Sequence, residues 1–356
     1  MKTIAYISGT RADFGLMSPV LRAINQHPKL RLKLYATGIH LMPEFGATIN
    51  EVRRHFPEVV PLRATIDSDE RHGTPHFIAQ LSTKLTNALR NDRPDMVLLL
   101  GDRAEQLTAA TVCLYLGIPT AHLHGGEKTT TVDDAARHAI TSLASWHFPA
   151  TKESAQRIQS MGVSKARIHI VGAPALDILK NTPLPPRAIK ENFILLTLHP
   201  ISEAVAQARK HMKTVLLALL SFRMPIIAIY PHADAGGRAM ISVLEQERKN
   251  PLVKIIPSLP YEEFLAMERD ASVWVGNSSA MMIESPFFGT PVVNVGTRQK
   301  GRQRGNNVID VDYNAQAIKR AVAAALNIKR RQSKNPWGDG RASQHIVTFL
   351  QKQIAY

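Results

Sequence analysis

Short apolar segments alternate with helix-like segments along the whole chain, and this alternation restricts the fold more than any other feature. Some of the apolar segments, such as Met96–Leu100, contain no polar residue, which is typical of a parallel strand buried on both faces. The segments between them carry apolar residues at the roughly 3.6-residue spacing of amphipathic helices. A chain that alternates in this way is expected to form parallel sheets covered by helices on both faces.

The 356 residues are enough for two domains, and the alternation predicts strands and helices in both halves. Strands are expected near Lys2–Ser8, Arg31–Thr37, Asp95–Leu100, Ile118–His122, Trp146–Pro149 and Ile168–Val171, and then near Phe193–Leu198, Pro225–Tyr230, Val253–Ile256, Ser272–Val275, Val292–Val295 and Val308–Val311. Helices are expected near Leu16–Gln26, Ile78–Leu89, Glu105–Leu116, Asp133–Ser145 and Lys152–Met161, and then near Glu203–Leu220, Gly236–Glu247, Tyr261–Arg269, Ala280–Phe288, Ala315–Leu326 and Ala342–Gln353.

A proline-rich connector, Lys180–Arg187, separates the two halves, because proline stops a helix and stiffens a linker. The expected fold is therefore α/β, with two doubly wound Rossmann-like domains that face a cleft. We place the domains at residues 1–180 and 188–335, and we expect a C-terminal helix at 340–356 to pack back on the first domain.

Polar segments that carry His, Arg, carboxylates or Gly directly follow the predicted strands in both halves. In the first half they are Gly9–Asp13, Thr37–His40, Gly101–Arg103 and His122–Glu127, and in the second half they are Thr197–Pro200, Pro231–Asp234, Gly276–Ser279 and Gly296–Gln299. Connecting loops are generally polar, but so many reactive side chains at successive strand ends favour a functional explanation. Ligands of open α/β sheets bind beyond the carboxyl ends of the strands, so we expect a site in the cleft.

The net charge of +15 raises the question of nucleic-acid binding. However, Lys and Arg are scattered, the densest run is the short segment Lys329–Lys334, and no aromatic residues are interleaved with them as in a base-stacking surface. A positive field suits an anionic small substrate equally well, so nucleic acid is not the expected partner. No apolar run reaches the roughly 20 residues of a membrane helix, and the N-terminus lacks a signal-peptide pattern. We expect a cytoplasmic protein with no membrane partner.

Two serines, Ser278 and Ser279, open the predicted helix Ala280–Phe288. Free N–H groups and hydroxyls at a helix N-terminus suit a phosphate, although a simple serine N-cap explains the same pattern. Glu284 lies one turn further and is placed to accept hydrogen bonds from ribose hydroxyls. Arginines that directly follow predicted strands supply the positive charge that a diphosphate needs: Arg11, Arg103 and Arg298. Arg302 and Arg304 are expected to be solvated.

The segment after the strand near Ile118–His122 allows a metal site, because His122 and His124 alternate at a strand end and Glu127 follows. No second ligand set with matching spacing is present, so we expect no metal. Further along, Asp133 and Arg137 are four residues apart in a predicted helix and are expected to pair, although acidic residues are common in a first helical turn without any function.

These motifs together resemble the hydrolysing UDP-N-acetylglucosamine 2-epimerase family over nearly the whole chain. The resemblance rests on Gly9–Asp13, Gly101–Arg103, Gly125–Glu127, Asp133–Asp134, Arg137–Thr141, Thr197–Pro200, Asn277–Ser279 with Glu284, and Gly289–Gln299 leading to Gly301–Arg302. The Arg-Ala-Asp and Gly-Gly-Glu variants fit hydrolysing members better than the non-hydrolysing branch. No nucleophile elbow, Walker loop or dinucleotide fingerprint is present, so hydrolase triads, NTPases and nicotinamide enzymes lose support.

The resemblance implies a two-domain fold of the GT-B type and an enzyme without a cofactor that releases UDP and the free 2-epimer of the sugar. This reaction passes through a glycal-like intermediate and feeds a sialic-acid-type surface-sugar pathway. By resemblance, Asp102 and Asp133 are the acid/base carboxylates, and His199 contacts the sugar–diphosphate junction. The implied UDP contacts are Arg11, Arg103, Ser278, Ser279 and Arg298, with Glu284 on the ribose. We also expect a homo-oligomer, either a dimer or a tetramer.

Three departures from the family pattern concern the site. His124 stands where some members have a catalytic Glu, so that role passes to His124 or to Glu127, or is absent. Met281 replaces a usual glycine and is expected to crowd the phosphate site, and His232 replaces a common Asn. The expected substrate is UDP-N-acetylglucosamine, and the alternatives are a UDP-diacetamido-trideoxyhexose, the non-hydrolysing reaction, a GT-B glycosyltransferase and a UDP-sugar-binding protein.

Overall fold

The computed structural model describes residues 1–68, 70, 72–129, 132–181, 183–331 and 335–353. Parts of the basic run Lys329–Lys334 and of the connector Lys180–Arg187 therefore lie outside the described residues. Within the described part of the chain, no helix is both long enough and apolar enough to cross a membrane.

The first half forms a six-stranded parallel sheet. Its strands are β1 (Lys2–Ser8), β2 (Leu30–Ala36), β3 (Val60–Pro61), β4 (Met96–Leu100), β5 (Thr120–Leu123) and β6 (Trp146–Phe148). Its helices are α1 (Arg11–Asn25), α2 (Ile49–His55), α3 (Gly73–Asp92), α4 (Ala104–Leu116), α5 (Val132–Leu143), α6 (Lys152–Ser160) and α7 (Ala175–Asn181). The strand order is β3-β2-β1-β4-β5-β6.

The second half repeats this plan with another six-stranded parallel sheet. Its strands are β7 (Ile194–Thr197), β8 (Ile226–Ile229), β9 (Val253–Ile256), β10 (Val273–Gly276), β11 (Val292–Val295) and β12 (Val308–Val311). Its helices are α8 (Ala208–Leu220), α9 (Gly237–Gln246), α10 (Tyr261–Asp270), α11 (Ala280–Ile283), α12 (Ser285–Phe288) and α13 (Ala315–Leu326). The strand order is β12-β11-β10-β7-β8-β9, which is the Rossmann order when counted from its own first strand.

The predicted fold class, two doubly wound Rossmann-like domains, is confirmed by these two sheets. The predicted domain limits, 1–180, 188–335 and 340–356, stay predictions. The last helix, α14 (Ala342–Gln353), lies on the first domain, where Ile346 and Leu350 pack in the same core as Ile4.

The β1 strand shows why both faces of the first sheet are covered. Its side chains alternate, so Ile4 and Tyr6 pack in the layer that contains α1 and α14. Ala5 and Ile7 pack on the other face, in the layer that contains α3 and α4. An apolar strand of this kind is stable only between two layers of helices, as its sequence predicts.

Three predicted elements differ from the structure. The predicted strand Ile168–Val171 is wrong, because Ile168 makes only a single bridge to His147. The predicted helix Ala280–Phe288 is divided at Glu284 into α11 and α12, since Pro286 has no N–H to continue the helical hydrogen bonds. The predicted helix Glu203–Leu220 begins instead as the 3₁₀ turn Ser202–Gln207, which is kinked at Ala204.

Three short elements were not expected from the sequence: β3, α2 and α7. β3 has only two residues, one of them proline, and α2 and α7 have seven residues each. Segments of this length carry too few apolar repeats for their periodicity to be recognised.

Candidate active site

In each sheet the strand order reverses between two central neighbours, β1 and β4 in the first and β7 and β10 in the second. Such a switch point leaves a crevice beyond the carboxyl ends of the strands, where ligands bind in folds of this type. Several predicted site residues line a cavity between the two domains: Arg11, His199, Ser278, Ser279 and Glu284. The two crevices therefore form one cleft.

A buried carboxylate fixes the turn that presents Arg11 after β1. Asp13 accepts hydrogen bonds from the backbone N–H groups of Gly9 (2.9 Å) and Thr10 (2.8 Å), and the Thr10 hydroxyl in turn caps α1. Arg11 pairs with Glu51 of its own domain and donates to the hydroxyl of Ser258 in the second domain. The guanidinium is thereby held where the two domains meet.

The Asp102 carboxylate, which follows β4, is bound by the buried guanidinium of Arg137. Arg137 also donates to Asp134 at 2.6 Å and to the carbonyl oxygen of Glu127 at 3.1 Å. Although burial opposes ionisation, the charges of Arg137 and Arg302 lower the pKa of Asp102. Asp102 is therefore ionised at neutral pH.

The second predicted carboxyl group, Asp133, lies at the start of α5, and its pKa is shifted in the opposite direction to that of Asp102. Burial and the negative charge of Asp102 raise the pKa of Asp133, although the guanidinium of Arg298, 3.6 Å away, partly offsets this effect. Two neighbouring carboxyl groups whose environments separate their pKa values are the usual arrangement of an acid/base pair. The four-residue spacing predicted a pair of Asp133 with Arg137, whereas among the described residues of α5 it is Asp134 that forms an ion pair with Arg137.

His124 directly follows β5 and is held by Glu127, whose carboxylate contacts the Nδ1 atom of the ring. Because a carboxylate only accepts, Nδ1 carries a proton, and in the neutral form of the ring Nε2 keeps a lone pair. Nε2 is buried and has no hydrogen-bond partner among the described residues. The other oxygen of Glu127 accepts from Nε of Arg302 at 2.9 Å. Burial favours the neutral form of Glu127, but the charges of Arg302 and His124 outweigh it and lower the pKa of this carboxyl group.

His124 also has a backbone φ of +60°, in the left-handed region that few residues other than glycine adopt. Its ring lies 6.2 Å from the ring of the buried Trp337, which precedes α14. The site is thus completed by a residue from the returning C-terminal segment.

His122 directs both of its ring nitrogens at groups of its own domain. Its Nε2 donates to the carbonyl oxygen of Gly101 at 2.7 Å, and its Nδ1 lies 3.1 Å from the hydroxyl of Thr141. Burial lowers the pKa of His122 to about 3, so the ring is neutral and both of its nitrogens are engaged.

On the opposite wall of the cleft, the turn after β10 clamps the turn after β7. The side-chain amide of Asn277 accepts from the backbone N–H of His199 (2.7 Å) and donates to its carbonyl oxygen (3.0 Å). The His199 ring stacks on that of His232 with 4.0 Å between centroids, and the N–H of His232 donates to Nδ1 of His199. Burial lowers the pKa of His199 well below its usual value, so the neutral ring offers an Nε2–H donor.

The serine turn and Glu284 lie beside this histidine pair. Ser278 and Ser279 line the cavity, but the helix that follows is α11, with only four residues, so its dipole is weaker than the sequence suggested. Met281 is fully buried with Trp274 in the core of the second domain, so the expectation that it crowds the phosphate site is wrong.

Arg302 and Arg304 were expected to be solvated, and this is wrong. The side chain of Arg302 is 8% exposed and binds Glu127 of the first domain, and Arg304 donates to the carbonyl oxygen of Gln299 at 2.6 Å. Arg103 makes a comparable link, since it binds Glu105 at 2.9 Å and reaches Asp234 of the second domain at 3.5 Å. No pattern among neighbouring residues of the sequence indicates that Arg302 and Arg103 contact carboxylates of the other domain.

Known proteins resemble this chain over almost its full length. The family model described as UDP-N-acetylglucosamine 2-epimerase matches residues 22–351. A UDP-N,N'-diacetylbacillosamine 2-epimerase (hydrolyzing) from Legionella pneumophila is 36% identical, covering 98% of this chain and 96% of that protein. A UDP-N-acetylglucosamine 2-epimerase from Neisseria meningitidis serogroup B is 34% identical, covering 96% and 93%. The fold matches that of the Methanocaldococcus jannaschii UDP-GlcNAc 2-epimerase in complex with UDP-GlcNAc and UDP, with a TM-score of 0.81, 22% identity and coverage of 98% and 99%.

Proposed function

The chain belongs to the UDP-N-acetylglucosamine 2-epimerase family, and we propose that it catalyses the hydrolysing reaction. In this reaction a UDP-linked 2-acetamido sugar and water give UDP and the free 2-epimer. The observation that carries the proposal is a pair of neighbouring carboxyl groups, Asp102 bound by Arg137 and Asp133 at the start of α5, whose pKa values are shifted in opposite directions. Epimerisation at carbon 2 requires one group that removes a proton and one that delivers a proton.

The first step in this proposal is the loss of UDP. The proton at carbon 2 is not next to a carbonyl, so no enolate stabilises its removal. The bond between carbon 1 and the diphosphate oxygen therefore breaks early, and its electron pair leaves with UDP. Stabilising the departing anion is the largest task of the site.

Three groups at the cleft are suited to the leaving diphosphate. His199 offers a neutral Nε2–H donor in a fixed orientation, because its Nδ1 accepts from the backbone. Arg103 and Arg298 flank this histidine, since the charges of both contribute to its lowered pKa. We assign Ser278 and Ser279 to the phosphates and Glu284 to the ribose.

Asp102 takes the proton from carbon 2 as UDP departs, which leaves a double bond between carbons 1 and 2. Asp133 then gives its proton to carbon 2 from the opposite face, so the configuration inverts. Both side chains are partly open to solvent, with 22% and 32% of their surfaces exposed. Exchange with water therefore restores the starting protonation of the pair.

Water completes the reaction by adding its oxygen to carbon 1. We assign the removal of the water proton to Nε2 of His124, because Glu127 holds the ring in the tautomer that leaves this nitrogen basic. This assignment supports the hydrolysing branch, since a reaction that returns UDP to carbon 1 needs no base for water.

Two sugars are candidates for the substrate. The relative whose name states hydrolysis acts on UDP-N,N'-diacetylbacillosamine, and a relative of similar identity is a UDP-N-acetylglucosamine 2-epimerase. The diacetamido sugar is therefore to be tested beside UDP-N-acetylglucosamine, the substrate expected from the sequence.

The products of each UDP-sugar are to be identified by NMR in D₂O and in H₂¹⁸O. The expected products are UDP and a free 2-epimeric sugar, which carries one deuterium at carbon 2 after reaction in D₂O and labelled oxygen at carbon 1 after reaction in H₂¹⁸O. A UDP-linked 2-epimer without free sugar would assign the chain to the non-hydrolysing reaction. UDP release only after addition of a sugar acceptor would indicate a glycosyltransferase.

The His124→Asn variant tests the hydration step separately. Asn tolerates the left-handed backbone of this position better than most residues, so the fold is expected to remain intact. UDP should still be released in the first turnover, while the glycal accumulates and the yield of free sugar falls by about 10²-fold. Free 2-epimer at the wild-type rate would remove His124 from this role.

A further inference from the structure

A second pair of carboxyl groups lies under the cleft, away from the acid/base residues. Glu268 is on α10 and Glu284 separates α11 from α12, and both side chains are buried, at 0% and 1% exposure. The hydroxyl of Tyr261 donates to Oε1 of Glu284 at 2.9 Å. The two carboxyl groups lie within hydrogen-bonding reach of each other.

Three oxygen atoms of this pair have no donor from any N–H or hydroxyl group of the described residues. They are both oxygens of Glu268 and Oε2 of Glu284. Two buried carboxylates in contact cannot both remain ionised, because their repulsion adds to the loss of hydration. A single proton held between them removes the repulsion and supplies the missing donor. Burial and the charge of Glu284 raise the pKa of Glu268 well above its usual value, which is consistent with Glu268 as the protonated member.

We propose that Glu268 is a positioning residue that donates a shared proton to Glu284 and thereby fixes Glu284 as the acceptor for the ribose hydroxyls of the nucleotide. This inference rests on the proposed function, in which Glu284 contacts ribose. Tyr261 and Glu268 hold the Glu284 side chain from two sides, towards the cavity that it lines, and their hydrogen bonds oppose the rise in its pKa that burial causes. Recognition of ribose then depends on a residue that does not line that cavity.

The geometry of the neighbouring helix supports this arrangement. A Cβ atom added to Gly15 of α1 would lie 2.5 Å from Cγ of Tyr261, so the tyrosine packs directly against the first domain. Tyr261 has little freedom to follow Glu284 if that side chain turns. Removal of Glu268 therefore leaves Glu284 held from one side only, by the Tyr261 hydroxyl.

The test compares the dissociation constants of UDP and 2'-deoxy-UDP, measured by calorimetry, in four proteins. Wild type is expected to bind UDP about tenfold more tightly than the deoxy form, as one hydrogen bond to a carboxylate provides. Glu268→Gln keeps a donor and should retain this ratio, whereas Glu268→Leu should reduce it to near one. Glu284→Leu is the reference for a lost ribose acceptor.

An infrared difference spectrum of wild type minus Glu268→Gln reports the proton directly, even if the Leu variant does not fold. A band from a protonated carboxylic acid at neutral pH is expected. Absence of that band, an unchanged ratio in a folded Leu variant, or a ratio of one in wild type would overturn the inference. A wild-type protein that binds neither nucleotide would instead contradict the proposed function.

Discussion

Replacement of Arg137 by Met tests whether this guanidinium holds Asp102 in its ionised form. The Arg137 side chain is 1% exposed and contacts the carboxylates of Asp102 and Asp134. Met fills part of the volume but removes the charge. Asp134 keeps two hydrogen bonds from Thr129, at 2.6 and 2.7 Å, whereas Asp102 loses the partner that lowers its pKa most. The damage is therefore concentrated on the proposed catalytic base.

The size of the effect follows from the burial of the two partners. Removing one member of a fully buried ion pair costs roughly 3–5 kcal/mol, and because Asp102 is 22% exposed and regains some water, we expect about 3 kcal/mol. For a domain of this size, that loss lowers Tm by about 6–12 °C. The kcat is expected to fall by about 10²-fold at neutral pH.

The dependence on pH has a definite sign. A carboxyl group with a lowered pKa stabilises the fold above its ordinary pKa, and this contribution disappears as the pH falls through the lowered value. The difference in Tm between wild type and Arg137→Met should therefore be largest near neutral pH and shrink in acid. The acid limb of kcat against pH should move to higher pH, because Asp102 then needs a higher pH to ionise.

Calorimetric melting and a UDP-release assay across the acidic and neutral range measure both effects. Arg248→Met is the matched control, because it removes an arginine from an exposed pair with Glu245 and should leave Tm and rate unchanged. A difference in Tm that is the same at every pH, together with an unmoved acid limb, would refute the reasoning.

Three further outcomes are expected. Asp102→Asn should retain UDP affinity in calorimetry but lower kcat by at least about 10³-fold, and an unchanged kcat would remove Asp102 from its role. The wild-type rate should have a bell-shaped pH profile, since Asp102, with its lowered pKa, must be ionised and Asp133, with its raised pKa, must keep its proton. An alkaline limb that persists in Asp133→Asn would contradict this assignment. In a helix with free space around it, Gly15→Ala would raise the free energy of unfolding by about 0.5–1 kcal/mol. Here the added Cβ meets Tyr261, so denaturant unfolding should show a loss of about 1–3 kcal/mol in that free energy. A more stable variant would contradict the contact.

Much of the candidate site follows from local sequence. An apolar strand such as β4 is recognisable because every side chain must be buried, and the residues after it then lie at the carboxyl edge of the sheet. Asp102, His124 and His199 were all placed at strand ends for this reason. The division of Ala280–Phe288 was not expected, although Pro286 within the segment is a local signal for a break.

The pairing of side chains was not predictable in the same way. Arg137 pairs with Asp102, 35 residues away, and Arg302 with Glu127, 175 residues away. Periodicity reports which face of an element a residue occupies, but not which residue of another element it meets. Which residues meet depends on how helices and strands far apart in the chain are positioned relative to one another.

The sequence by itself thus determined the layers of the fold and the edge at which the chemistry lies, because strand and helix periods are properties of neighbouring residues. Only the tertiary structure decided the opposite pKa shifts of Asp102 and Asp133 and the pairing of Arg302 with Glu127. It also brought Glu268 against Glu284, on elements whose separation in the chain gives no sign of contact. Electrostatic effects between buried groups vary steeply with distance and hydration, and both are set only when the helices and sheets pack together.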